Sequence, residues 1–131
     1  MKIGVIGLGY WGPNLVRNFL AKNEISKVMV CDLKESRLKS INEKFPAVEF
    51  TNNCTKLINS DTDAIVIATP VDTHYKLAKS ALQAGKHIWV EKPFTSSSAE
   101  AEELVEIAES KNLKIFVDHT FIYNGAVRKI K

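Results

Sequence analysis

The sequence predicts an α/β protein in which a doubly wound, mainly parallel sheet lies between two layers of helices. Two observations predict this three-layer fold class. Short apolar runs are continuous rather than alternating, which is typical of strands buried on both faces of a parallel sheet. Amphipathic helical patterns separate these runs, and the alternation indicates βαβ units. The runs cover residues 3–6, 28–31, 64–68, 88–90 and 115–117, and a shorter run at 48–50 is a candidate sixth strand.

Each helical pattern between the runs places its apolar side chains on one face. Gly85 follows the third pattern and is a predicted C-terminal cap. Ser97 and Glu100 open the fourth pattern as a capping box, which marks a helix N-terminus. The apolar faces consist of Leu15, Val16, Phe19 and Leu20, of Leu38, Ile41 and Phe45, of Leu77, Ala78, Ala81 and Leu82, and of Ala101, Leu104, Val105 and Ala108.

Composition limits the classes of function. The 131 residues suffice for one compact domain, and 18 Lys and Arg against 15 Asp and Glu leave a net charge of only +3, so we predict no nucleic-acid surface. Cys31 and Cys54 lack metal-ligand spacing; we predict core packing for Cys31 and no metal site. The N-terminus enters a strand without a signal peptide, and no apolar run reaches transmembrane length. We therefore expect a cytoplasmic protein without a membrane partner.

A glycine motif links the first predicted strand to the first helix. Residues 7–12 read Gly-Leu-Gly-Tyr-Trp-Gly, the G-x-G-x-x-G pattern of a dinucleotide-binding Rossmann fold. Gly7 permits the tight turn, Gly9 lets the backbone approach a pyrophosphate, and Gly12 lets the helix pack closely on the strand. Tyr10 and Trp11 are candidates to cover the pyrophosphate, with packing at the helix start as the alternative. The motif predicts a cofactor site, whereas a glycine-rich turn without ligand is the plainer interpretation.

Asp32 ends the second predicted strand, twenty residues after Gly12. A carboxylate at this position can accept hydrogen bonds from the adenosine ribose and repels a 2′-phosphate. No Arg follows directly, although Lys34 is close enough to soften the preference. We predict that the cofactor is NAD rather than NADP; the alternative is that Asp32 caps the next helix.

Thr69 and Pro70 end the third long apolar run, at the sheet edge where cofactors lie in this fold. Pro70 removes a hydrogen-bond donor and stiffens the turn, although a plain strand-to-helix turn explains the pair equally well. His74 lies at the start of the next helix, where it can contact the cofactor or cap the helix.

Glu91, Lys92 and Pro93 directly follow the buried run at 88–90, at the same end of the sheet as the glycine motif. A lysine beside a nicotinamide and low-dielectric walls would have its pKa lowered, which suits proton exchange with a substrate hydroxyl. The Lys92–Pro93 bond can be cis. Spacing alone favours an ordinary solvated charge pair. His119, with Thr120 and Tyr123, is a further candidate to line the cleft.

Taken together, these motifs resemble the N-terminal domain of the Gfo/Idh/MocA oxidoreductase family. The resemblance covers essentially the whole chain, and its most specific element is the tripeptide Glu91-Lys92-Pro93. The other matching segments are residues 7–12, 68–70 with 73–74, and 84–87.

The resemblance implies that Lys92 is the catalytic lysine beside the nicotinamide and that Glu91 lies near the cofactor ribose. Residues 9–15, 118–121 and 123–124 resemble the branch that acts on nucleotide-linked sugars. Residues 1–120 then form the NAD-binding domain and 121–131 the start of a connection to a substrate domain that is absent. We expect the parent enzyme to be a homo-oligomer. A non-catalytic NAD-sensing module and an NADPH-dependent reductase of imines or tetrapyrroles are the alternatives.

Overall fold

The computed structural model describes residues 1–130 and contains one six-stranded sheet in the order β3-β2-β1-β4-β5-β6. Every pair of neighbouring strands is parallel. This is the Rossmann strand order, so the predicted fold class is confirmed. The strands are β1 (Lys2–Ile6), β2 (Lys27–Cys31), β3 (Glu49–Thr51), β4 (Ala64–Ile67), β5 (His87–Glu91) and β6 (Ile115–Asp118).

Helices connect the strands. They are α1 (Gly12–Leu20), α2 (Glu35–Lys44), α3 (Cys54–Ile58), α4 (His74–Gln83), α5 (Ser98–Ser110) and α6 (Gly125–Ile130), with 3₁₀ turns at Val71–Thr73 and Thr120–Tyr123. The candidate sixth strand is present as β3, one residue later than its apolar run. The last helix begins at Gly125, and Lys131 lies outside the described residues. The sequence patterns did not predict α3, whose five residues are too few to show a helical period.

Apolar side chains form a core on each face of the sheet. On one face, Leu15 of α1 and Leu38 of α2 pack with Val30. On the other, Leu57 of α3, Leu82 of α4 and Leu104 of α5 pack with Ile65, among others. The helices are therefore divided between the two faces, with α1 and α2 on one and α3 to α5 on the other. Burial of these side chains is the main force that holds the three layers together.

The strand order creates a crevice at one end of the sheet. β1 and β4 are adjacent at the centre, and the chain leaves β1 toward one face of the sheet and reaches β4 from the other. In open parallel sheets, ligands bind at the carboxyl ends of the strands at such a switch point. The residues that follow β1, β2, β4 and β5 consequently meet at the same edge. Within residues 1–130, no helix has the length and apolar character that a membrane span requires.

Candidate functional site

The three glycines of the loop after β1 occupy positions with different steric demands. Gly7 has a φ of +97°, and a Cβ there would lie 2.5 Å from the carbonyl oxygen of Ala68. A Cβ on Gly12 would lie 2.0 Å from the carbonyl oxygen of Gly7, so α1 can begin this close to the strand only with glycine. By contrast, a Cβ on Gly9 would meet nothing within 4 Å. Gly7 and Gly12 therefore shape the loop, while Gly9 leaves open space beside it.

Helix α1 starts directly behind this open space. Pro13 lies in its first turn, where the missing N–H is not needed for the helix. The free amides and the positive end of the dipole at a helix N-terminus attract phosphate. Tyr10 and Trp11 lie beside the loop with 84% and 50% of their surfaces exposed, and their rings meet edge to face at 5.3 Å. Both aromatic rings thus lie beside the glycine loop and largely in solvent, and their contact with a pyrophosphate stays a prediction.

A cavity of about 1110 Å³ opens at the carboxyl ends of β1, β2 and β4. It brings together five of the residues proposed from the sequence: Gly7, Gly9, Asp32, Thr69 and Pro70. The cavity continues between α3 and α4, past Ile58 and Leu77. Its mixed apolar and polar walls suit an adenosine, which presents a flat ring and a polyhydroxylated sugar. Tyr10, Trp11, Gly12, His74, Glu91 and Lys92 are not among the residues that line it.

The side chain of Asp32 is 6% exposed at the end of β2 and is held by three donors. One carboxylate oxygen accepts hydrogen bonds from the Leu8 amide at 2.8 Å and from Arg37 at 3.2 Å, and the other accepts from the Lys34 amide at 2.8 Å. Burial opposes the charge, but these two amides and the Arg37 guanidinium outweigh it and lower the pKa of Asp32. The N-cap position of α2 belongs to Lys34, not to Asp32.

Arg37 is a site residue that the sequence analysis missed. It lies within the first turn of α2, lines the cavity and forms an ion pair with Asp32. Arg37 lies five residues after Asp32 in the sequence, and the direction of α2 brings its guanidinium back to the end of β2. A cation near the expected ribose position can pair with the 2′-phosphate of NADP, so Arg37 bears on the choice between NAD and NADP.

The loop after β4 is tied to the loop after β5 through His74. Its ring is 1% exposed; Nε2 lies 2.8 Å from the carbonyl oxygen of Thr69 and Nδ1 lies 2.9 Å from that of Pro93. The Thr69 hydroxyl also forms a hydrogen bond with the Thr73 hydroxyl at 2.7 Å. The helix N-cap is Thr73, so His74 is the first residue of α4 rather than its cap. Contact between His74 and a cofactor stays a prediction.

The tripeptide Glu91-Lys92-Pro93 ends β5, with Lys92 exposed and the Lys92–Pro93 bond cis. Glu91 lies in register with Asp118 at the end of β6, and Asp118 is 8% exposed. Burial raises the pKa of Glu91, and the neighbouring Asp118 carboxylate raises it further, while Lys92 acts in the opposite direction. Asp118 therefore lies beside Glu91 at the strand end that Lys92 follows. The resemblance includes this aspartate, but its pairing with Glu91 depends on strand register.

The remaining candidates follow β6. His119, Thr120 and Tyr123 are exposed, and the last two belong to the 3₁₀ turn Thr120–Tyr123. Within residues 1–130, no group of three or more His, Cys, Asp or Glu side chains could hold a metal ion.

Relatives of known sequence cover the whole chain, but the chain covers only part of them. It is 29% identical to UDP-N-acetylglucosamine 3-dehydrogenase of Acidithiobacillus ferrooxidans, with 100% of the chain and 41% of that protein aligned. It is 30% identical to the scyllo-inositol 2-dehydrogenase (NADP(+)) of Bacillus subtilis, with 100% and 36% aligned. The crystal structure of biliverdin reductase from Synechocystis sp. PCC 6803, solved with biliverdin and NADP+, superposes with a TM-score of 0.93 at 27% identity, over 98% of this chain and 41% of that one.

The family is shown by a model that covers nearly the full length. The Gfo/Idh/MocA model, described as an oxidoreductase family with an NAD-binding Rossmann fold, matches residues 1–119. The matched span contains the glycine loop, Asp32, the turn after β4 and Lys92. Since strand order, loop geometry and the family model agree, the chain belongs to the Gfo/Idh/MocA oxidoreductase family and comprises its NAD(P)-binding Rossmann domain.

Proposed function

We propose that this domain binds NAD(H) in the cavity at the carboxyl ends of β1, β2 and β4, as the cofactor-binding part of a sugar dehydrogenase. The observation that carries the proposal is the open space at Gly9, which adjoins the N-terminus of α1 and lies in the same cavity as Asp32. A dinucleotide needs this combination of a backbone free of side chains, unpaired helix amides and an acceptor for ribose hydroxyls.

The residues of the cavity suit the adenosine half of the cofactor. The α1 amides face the pyrophosphate, and the carboxylate of Asp32 accepts hydrogen bonds from the ribose hydroxyls. Its lowered pKa keeps it charged at neutral pH, so it repels a 2′-phosphate and favours NAD(H) over NADP(H). Arg37 works against this preference, because its guanidinium lies 3.2 Å from Asp32 and could pair with the phosphate.

Lys92 is the residue we assign to chemistry. It follows β5 directly and is exposed toward the edge where the strands end, so its ammonium can exchange a proton with a substrate hydroxyl. Glu91 precedes it in the chain and lies in register with Asp118, so negative charge lies at this end of the sheet. When bound, the nicotinamide supplies the hydride acceptor or donor. His74 supports this arrangement by joining the Lys92 loop to the loop after β4.

The substrate class we propose is a sugar secondary alcohol, with a nucleotide-linked sugar as the first candidate. The resemblance of residues 9–15 and 118–124 to that branch supports it, as does the name of the relative that acts on UDP-N-acetylglucosamine. The chain spans 34% to 41% of the first relatives, so substrate would be held by a further domain that residues 121–131 begin to connect. We propose that the parent enzyme is a cytoplasmic homo-oligomer.

A second candidate is an NADPH-dependent reductase. The close superposition on a biliverdin reductase solved with NADP+ supports it, and so does the position of Arg37 in the cavity wall. A non-catalytic NAD-sensing module has less support, because such a module has no use for Lys92 at the end of β5.

Titration calorimetry with NADH and NADPH tests cofactor binding directly. Gly9→Val should weaken NADH binding by roughly tenfold or more, because its side chain would enter the space meant for the pyrophosphate. Gly125→Val is the matched control, since a Cβ at Gly125 also meets nothing within 4 Å but lies outside the cavity. Equal NADH affinity in the wild type and Gly9→Val would show that the cofactor does not bind at this loop.

A further inference from the structure

The two cysteines of the chain meet in the wall of the cavity. Cys31 is the last residue of β2 and Cys54 is the first residue of α3, and their sulfur atoms lie 3.2 Å apart. Both residues line the cavity, beside Asp32 and Ile58. The sulfurs are about 1 Å from the distance of a disulfide bond, so a small movement of α3 would close one. Neither the spacing of the cysteines nor the family fold requires this contact.

The two thiols differ in access and in acidity. Cys31 is fully buried, whereas Cys54 is partly exposed. A hydrogen bond from the Cys31 thiol stabilises the Cys54 thiolate and lowers the pKa of Cys54 to about 7, although burial and the charge of Asp32 oppose this. The same hydrogen bond, together with burial, raises the pKa of Cys31. Cys54 is therefore the accessible nucleophile, and Cys31 is positioned to resolve an adduct formed on it.

We propose that Cys54 and Cys31 form a reversible thiol–disulfide site in the wall of the cofactor cavity, which reacts with small disulfides of the glutathione type when the cavity is empty. The geometry of the pair and its place in the cavity carry the proposal. The reaction itself needs no cofactor. Only its suppression by NAD(H) rests on the function proposed above.

The reaction has two balanced steps. The Cys54 thiolate attacks one sulfur of oxidised glutathione, forming a mixed disulfide and releasing one glutathione thiolate, which takes up a proton. The Cys31 sulfur then attacks the Cys54 sulfur, gives up its proton and releases the second glutathione as a thiol. The two cysteines are oxidised by two electrons and one glutathione disulfide is reduced to two thiols. Excess dithiothreitol reverses both steps.

The test exposes the chain to oxidised glutathione and follows its intact mass. The wild type should lose two hydrogens, and peptide mapping should join residues 31 and 54. Cys31→Ser should stop at the mixed disulfide and gain one glutathione, whereas Cys54→Ser should stay unmodified because the buried Cys31 is inaccessible. Cys31→Ala should also stop at the mixed disulfide, but more slowly than Cys31→Ser, because alanine cannot donate the hydrogen bond that stabilises the Cys54 thiolate. Circular dichroism of each variant verifies the fold before the reaction.

Two results would overturn the proposal: a wild type that keeps both thiols free, or one that ends as a stable glutathione adduct. NADH at ten times its Kd should slow the wild-type reaction about tenfold, because only the empty cavity reacts. An unchanged rate despite measured NADH binding would show that the pair does not lie in the cofactor site. Absence of NADH binding would contradict the proposed function alone, since the disulfide can form in the unliganded chain.

Discussion

The Nδ1 atom of His74 lies 2.9 Å from the carbonyl oxygen of Pro93, so the first residue of α4 is joined to the loop that carries Lys92. The other ring nitrogen reaches the Thr69 carbonyl at 2.8 Å. A carbonyl oxygen can only accept, so Nδ1 must donate to hold the Pro93 loop and Nε2 must donate to hold Thr69; a ring with one N–H makes only one of these hydrogen bonds.

Replacement of this ring should be costly. His74→Phe keeps most of the volume but removes the ring nitrogens from two partly buried carbonyl contacts, at about 1–3 kcal/mol for each hydrogen bond lost before relaxation. We expect the free energy of unfolding to fall by about 2–3 kcal/mol in urea titrations. His119→Phe, at an exposed position, is the control and should change it by less than about 0.5 kcal/mol. Equal stability of both variants would contradict a structural role for His74.

Cofactor preference should depend on Asp32 and Arg37 jointly. Asp32→Ser removes the repelling charge and should narrow the difference in binding free energy between NADH and NADPH by about 1–3 kcal/mol, measured by calorimetry. It also frees Arg37 to pair with a 2′-phosphate. Adding Arg37→Ala to Asp32→Ser should therefore weaken the binding of NADPH more than the binding of NADH. Equal or tighter binding of NADPH by the wild type would make the predicted preference wrong.

The full-length parent enzyme tests the role of Lys92. Lys92→Met should lower kcat by roughly 100-fold or more, which is typical for loss of a positioned acid or base, and NAD affinity should change little. Lys111→Met, at the C-terminal cap of α5, is a matched control that should keep full turnover. If Lys92→Met retains most of its turnover, Lys92 is only a surface charge near the cleft.

Removing the charge of Asp118 should stabilise the fold, and the size of this gain should depend on pH because Asp118 faces Glu91. The pKa of Glu91 is raised in the folded state, so its carboxylate weakens folding at pH values above its ordinary 4.5. Asp118→Asn removes the charge repulsion that is the second cause of this shift and should stabilise the fold at pH 7 by about 0.2–1 kcal/mol, the usual size of a side-chain pair interaction between neighbouring strands.

At about pH 3, well below the ordinary 4.5, the raised pKa of Glu91 leaves its carboxyl group uncharged, so this gain should vanish. Asp61→Asn is the opposing control: Lys2 and Lys27 lower the pKa of Asp61, so its charge stabilises the fold and its loss should lower stability at pH 7. Thermal melts at the two pH values measure both effects. A gain for Asp118→Asn that is the same at both would contradict the pairing.

The 131-residue chain should bind NAD(H) but turn over no sugar. Cofactor binding needs only the cavity and the glycine loop, which lie within one sheet and its flanking helices. Catalysis also needs a surface that holds the substrate carbinol at the nicotinamide, because this positioning lowers the activation barrier by several kcal/mol. Incubation with NAD and a panel of UDP-linked and free sugars, followed by NADH absorbance, is the measurement. Robust turnover of any sugar would show that the domain is catalytically complete.

Much of the fold could be predicted because the strands are buried on both faces and therefore apolar throughout. The glycine loop was also predictable, since Gly7 and Gly12 are imposed by close backbone contacts. The three-residue strand β3 was recognisable only as a short apolar run, and α3 not at all. Elements this short are specified by the tertiary contacts that bury Leu57 and Ile58, not by their own period.

The candidate site was predictable where it follows strand ends directly, as at Asp32, Thr69 and Lys92. Contacts across elements were not. Arg37 reaches Asp32 through the direction of α2, Cys54 reaches Cys31 through the position of α3, and Asp118 reaches Glu91 through strand register. Each depends on how separate segments pack, which single-sequence patterns do not encode.

The central place of β1 has a consequence for synthesis on the ribosome. One edge of the strand made first can pair with β2 once residues 27–31 emerge, but its other edge waits for β4, some sixty residues after β1. Until residues 64–67 emerge, that edge is an unprotected apolar template for pairing with other chains. At that stage, Ala68 and Thr69, against which Gly7 packs in the folded protein, have not yet been made. The nascent chain therefore cannot recruit its cofactor early, and chaperone contact should concentrate between the emergence of β2 and that of β4.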